Sequence, residues 1–248
     1  MLSLVLASLL VSTVSADLTI KVTNNCPYTI WPAVSNTFTG GGFAGPGGWE
    51  ARSGDSKTLT VPSVWNGRIW PRRGCSFDSA GNGQCLAGDC GSGHIECGDA
   101  RMGWANLVEM NLQATGTNLD WWDISAVPGF VAPITVTPND ASCAGVACTA
   151  DLNPNCPNDQ MRIIDNGDTI GCLSACMAGI NAGADSSNCC SGRFLSHAAC
   201  RPENVDYYDY FKQGCENAYA YPRDDGSGLP TVVYTCPSSS LGYTIDFC

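Results

Sequence analysis

The chain has 248 residues, 16 cysteines and 2 histidines, and its 23 acids against 12 bases leave a formal net charge of −11. So many cysteines, in even number, exclude a protein of the reducing cytosol and indicate a secreted, disulfide-stapled chain. The acidic balance excludes a phosphate-binding surface for nucleic acid, and scarce histidine argues against His-rich metal sites, so no cofactor or metal is expected.

Residues 1–16 read as a secretory signal peptide: Leu2 to Val14 is apolar apart from Ser and Thr, and Val14-Ser15-Ala16 suits cleavage before Asp17. No second apolar stretch approaches membrane-spanning length, so no transmembrane anchor is expected. From Leu18 to about Trp70, short alternating runs such as Leu18–Val22 and Thr58–Val61 are broken by Asn24-Asn25 and Gly40–Gly42, the texture of an all-β sandwich or barrel. Four cysteines between Cys75 and Cys97 mark a small segment with little core of its own. Strand texture returns from Ala105 to Val136, and ten cysteines follow between Cys143 and Cys236. Within that stretch Ile170, Leu173, Met177 and Ile180 recur at helical spacing, which predicts a helix over about Asp168 to Ala182 with Cys172 and Cys176 on one side. Gly242–Phe247 is β-like again. Adjacent Cys189-Cys190 ligate a single ion poorly, so the cysteines are expected in disulfides; spacing alone leaves roughly two million pairings open.

The stretch from Leu107 to Ser125 reads as a hairpin that carries candidate chemistry. Val108, Met110 and Leu112 alternate with Glu109, Asn111 and Gln113, and Trp122 and Ile124 alternate with Trp121 and Asp123. Burying the apolar set places Glu109, Asn111, Trp121 and Asp123 on the other face. With the turn centred on Gly116, Glu109 lies directly opposite Asp123, at a Cβ separation of about 4.5–5.5 Å. Like charges so close raise the pKa of one member, and paired carboxylates at such distances are the working groups of glycosidases. Alternation alone leaves open whether the two acids are merely solvated residues of an exposed face.

The segment Gly81-Asn82-Gly83-Gln84-Cys85-Leu86-Ala87-Gly88-Asp89-Cys90 resembles the signature of the thaumatin-like proteins, with Ala87 where threonine is usual. Asn24–Trp31, Gly67-Arg68-Ile69-Trp70, Asp123-Ile124-Ser125 and Ala218–Asp225 support the likeness, which covers essentially the whole chain after residue 16. It implies a mainly β fold, a flattened antiparallel β-sandwich with two disulfide-rich lobes and an acidic cleft. The implied division is a core of 17–72, 105–149 and 216–248, a small lobe of 73–104 and a larger loop-and-helix lobe of 150–215. By cysteine order it also implies eight bridges: Cys26–Cys248, Cys75–Cys85, Cys90–Cys97, Cys143–Cys236, Cys148–Cys215, Cys156–Cys172, Cys176–Cys189 and Cys190–Cys200.

Carried over by position, the cleft residues are Arg68, Glu109, Asp123 and Asp224, while Pro128 stands where a further aspartate is usual. Asp120 and Asp225 are candidates for supplying charge nearby. The resemblance implies binding of β-1,3-glucan or another cell-wall polysaccharide and weak endo-β-1,3-glucanase activity. Glu109 is then the expected general acid, Asp123 the base, and Arg68, Asp224 and Trp121 the substrate-binding residues. The alternative is a non-catalytic polysaccharide- or protein-binding defence protein, or a hydrolase inhibitor. A secreted monomer of the cell wall or apoplast, antifungal or wall-remodelling, fits either. His94 and His197 are expected in surface or capping roles, and Tyr207–Phe211 as packing over the disulfides.

Overall fold

The computed structural model describes residues 17–37, 42–98, 103–114, 116–226, 231–238 and 241–248; the expected signal peptide lies outside them. In chain order the strands are β1 (Leu18–Asn24), β2 (Ala33–Asn36), β3 (Ser56–Val61), β4 (Asn66–Trp70), β5 (Arg73–Phe77) and β6 (Gly83–Ala87). Then come β7 (Leu107–Asn111), β8 (Leu119–Ser125), β9 (Gly129–Phe130), β10 (Ile134–Pro138), β11 (Val146–Cys148), β12 (Arg162–Asp165) and β13 (Asp168–Leu173). Helix α1 (Tyr208–Gly214) precedes β14 (Tyr234–Pro237) and β15 (Tyr243–Phe247).

Two five-stranded sheets, ordered β11-β10-β15-β1-β3 and β14-β8-β7-β4-β2, form the sandwich, and β12-β13-β9 and the β5-β6 hairpin stand beside it. The mainly β fold expected from the sequence is therefore present. Leu18, Ile20 and Val22 of β1 face inward and their neighbours face solvent, the alternation that a sheet with one buried face requires. Trp122 of one sheet meets Tyr243 of the other edge to face, ring centres 5.4 Å apart, so the apolar faces interlock in the core. Strand β1 pairs with β15 in parallel, joining the two ends of the described chain. Cys26–Cys248 bridges just beyond that pairing, and its long loop carries the largest entropic stabilisation, about 5.4 kcal/mol in the chain-entropy model.

All eight expected disulfides form. The helix expected over 168–182 does not. Its first part is strand β13, antiparallel to both β12 and β9, and residues 174–181 form irregular turns. Asn166-Gly167, both at positive φ, close the β12–β13 hairpin, and this turn chemistry outweighs the helical spacing that follows it. Cys172 and Cys176 consequently belong to different elements and bond to Cys156 and Cys189. The α-helix lies instead within the aromatic cluster, where Tyr208 and Phe211 are buried.

Arg72 locks the Cys75–Cys97 segment to the sandwich. Its guanidinium is fully buried, donating from Nε to the Trp31 carbonyl at 2.9 Å and from Nη2 to the Ile95 carbonyl at 2.6 Å. Burial lowers its pKa to about 10 against the opposing pull of Asp89, so it remains a cation at neutral pH.

Candidate functional site

The hairpin β7–β8 forms in the register that alternation predicts, with Glu109 opposite Asp123, Met110 opposite Trp122 and Asn111 opposite Trp121. Met110, Leu112, Trp122 and Ile124 are buried, and Trp121 is 37% exposed on the other face. Strand β4 pairs with the far edge of β7 and sets Arg68 opposite Glu109. Arg68, Glu109 and Asp123 thus form a row across three neighbouring strands on the face turned away from the core.

Within the row the two carboxyls have unlike surroundings. Arg68 Nε donates to Glu109 Oε1 at 2.7 Å, a charge-assisted pair with each side chain about a third exposed. Asp123 is half-buried, and its Oδ1 is sealed from solvent with no hydrogen-bond partner among the described residues. Burial first, and then the charge of Glu109, push the Asp123 carboxyl well above the usual carboxylate range, while Arg68 pulls against them. The two carboxyls of the pair therefore differ: Asp123 is pushed toward its protonated form, and Glu109 is the one bound to the guanidinium.

Asp224 does not join the row. It is 2% exposed, accepting from the Ala220 backbone N–H at 2.8 Å, Lys212 Nζ at 3.0 Å and Tyr208 Oη at 3.1 Å. Lys212 also donates to the Ala218 carbonyl at 3.0 Å. The expected cleft ligand is therefore a buried anchor that shapes the segment from Ala218 to Asp224. Asp120 is likewise buried on the inward face of β8, bound by Tyr243 Oη and Ser238 Oγ, both at 2.7 Å. Asp225 is exposed and pairs with His197 Nε2 at 3.1 Å. Pro128 brings no charge; its carbonyl accepts from Ser174 N at 3.2 Å.

The anchored segment brings a residue to the row that sequence reasoning missed. Tyr219 bridges Ser125 in parallel, its N–H bonding the Ile124 carbonyl at 2.9 Å and its carbonyl accepting from Ala126 N at 2.7 Å. Bridged residues point to one side of a sheet, and Ser125 shares the face of Asp123 and Trp121. Nothing local marks Tyr219 for this place, because the bridge spans nearly a hundred residues. Among the described residues no group of three His, Cys, Asp or Glu side chains stands where it could hold a metal ion.

Residues 24–248 match the model of the Thaumatin family. Thaumatin-like protein 1 of Pyrus pyrifolia is 41% identical over 233 residues, covering 91% of this chain and 88% of that protein. A Prunus avium protein named glucan endo-1,3-beta-glucosidase is 35% identical over 233 residues, covering 93% of this chain and 90% of its own. The fold is shared with a laminaripentaose-producing β-1,3-glucanase solved with laminaritetraose, at a TM-score of 0.57 and 12% identity over 94% of this chain and 99% of that one. With most of its length matched, the eight bridges formed and the sandwich in place, the chain belongs to the Thaumatin family.

Proposed function

We propose that the chain is secreted, binds β-1,3-glucan over the β4–β7–β8 face and hydrolyses it slowly from within, in an antifungal or wall-remodelling role outside the cell. The observation that carries this reading is the unequal carboxyl pair, Glu109 bound to Arg68 and Asp123 raised by burial beside it, which suits Asp123 to give a proton and Glu109 to accept one. Glycoside hydrolysis needs one carboxyl of each kind. Asp123 gives its proton to the glycosidic oxygen as the C–O bond breaks. Glu109 takes a proton from the water whose oxygen bonds to the anomeric carbon. Arg68 holds Glu109 in place, and exposed Trp121 offers a ring face to a neighbouring sugar. The glucan-directed name of the Prunus avium relative supports the choice of substrate. The sixteen cysteines, all bridged, suit an oxidising compartment, and no described helix is long and apolar enough to cross a membrane.

The test is reducing-end release from a soluble β-1,3-glucan, alongside retention on an insoluble one. Release by the wild type, its loss in Asp123→Asn and Glu109→Gln, and retained binding in both support hydrolysis. Equal release by wild type and both variants overturns it.

A second reading, a non-catalytic binder or hydrolase inhibitor, is favoured by a separate observation. Of the carboxylates the family likeness implies for the cleft, one is replaced by Pro128 and another, Asp224, is buried. Retention of glucan without any reducing-end release selects that reading.

A further inference from the structure

The β4–β7–β8 face carries two aromatic side chains, Trp121 and Tyr219, on either side of the acid pair. Trp121 precedes Asp123 by two residues on β8, and Ser125, the bridge partner of Tyr219, follows it by two. At about 3.4 Å per residue the two aromatics are some 14 Å apart along the strand, with the acid pair between them. Tyr219 stands one strand over and two residues along from Asp123, a diagonal position within reach of an aromatic side chain. Its backbone is fixed by the two bonds to β8. Asp224 and Lys212, both buried, tie down Ala218 and Ala220 on either side of it.

We propose that Tyr219 is a ligand-binding residue, holding a sugar unit on the side of the acid pair opposite Trp121, so that an internal stretch of glycan lies across Glu109 and Asp123. This rests on the glucan reading above and adds to it the second half of the binding track. The phenol suits the task because it stays an O–H donor. Burial first, and then the charges of Asp225, Asp123, Glu109 and Asp224, raise its pKa, so its proton is kept throughout the range in which the cleft works. A planar ring with one polar tip offers both an apolar face and a hydrogen bond to a neutral sugar.

The test is calorimetric titration of a β-1,3-linked glucose hexasaccharide into the intact disulfide-bonded protein, for wild type, Tyr219→Phe and Tyr219→Ala, with the thermal midpoint of each variant measured in parallel. Loss of one net hydrogen bond is expected to weaken binding by Tyr219→Phe about 3- to 10-fold. Tyr219→Ala, which also loses the ring, is expected to bind more weakly still. Both are expected to keep the wild-type thermal midpoint within a few degrees. A trisaccharide of the same linkage, too short to engage both aromatics, is expected to lose less of its affinity when Tyr219 is changed. A wild type that binds the hexasaccharide while Tyr219→Phe and Tyr219→Ala bind equally well overturns the role of Tyr219 and leaves the glucan reading standing. A wild type that does not bind overturns both.

Discussion

Replacing Asp224 by Asn separates its two roles, cleft ligand or buried anchor, in one measurement. Its carboxylate accepts from Lys212, Tyr208 and the Ala220 N–H, with the side chains of Asp224 and Lys212 0% and 9% exposed. The substitution keeps the volume but leaves Lys212 a buried cation without its counter-charge. Breaking one side of a buried ion pair costs about 3–5 kcal/mol, because the orphaned charge stays desolvated. For a domain of this size each kcal/mol lowers the thermal midpoint by about 2–4 °C, so a fall of about 6–20 °C is expected by scanning calorimetry. The double variant Asp224→Asn/Lys212→Met, which removes the stranded charge as well, is expected to recover part of that loss. An unchanged midpoint with lost glucan retention would show that Asp224 meets ligand, and would refute the anchoring account.

Asp123 gives a second stability test with the opposite sign. Its carboxyl is raised in the folded chain, so its contribution is complete below about pH 4, the unfolded value, and is lost as pH rises through the folded value. Asp123→Asn is therefore expected to raise the thermal midpoint at neutral pH and to flatten its decline between acid and neutral pH. Arg68→Ala is expected to change stability by no more than about 1 kcal/mol, since the pair is a third exposed, yet to slow reducing-end release by freeing Glu109. Arg72→Met leaves the Trp31 and Ile95 carbonyls without their donor, at about 1–3 kcal/mol each. Amide exchange in Cys75–Cys97 is expected to accelerate while that in β7 and β8 does not.

How much was legible in the sequence follows the range of the interactions. The Glu109–Asp123 facing pair is local: one hairpin, one turn and a period of two are enough to set it. Arg68 reaches Glu109 only because β4 pairs with β7 across some forty residues, and alternation says nothing about that neighbour. The family likeness supplied Arg68, Asp224 and the disulfide order, but a motif records a residue and not the burial of its side chain, which for Asp224 is nearly complete. The choice between Asp123 and Glu109 as proton donor meets the same limit. Which carboxylate keeps its proton depends on which is sealed and which meets the guanidinium, and both facts are tertiary. The β13 misreading is local. Apolar residues at helical spacing competed with an Asn166-Gly167 turn, and the turn won because β9 and β12 give the strand partners on both edges.

The most direct test of the central claim is the titration of Asp123 itself, followed by NMR of carbonyl-labelled aspartate in the disulfide-bonded protein. The resonance assigned through Asp123→Asn is expected to titrate well above the ordinary carboxylate range, and to move down when Glu109→Gln removes the facing charge. An Asp123 that titrates in the ordinary range, or that ignores Glu109→Gln, would contradict the assignment of the proton and the mechanism built on it.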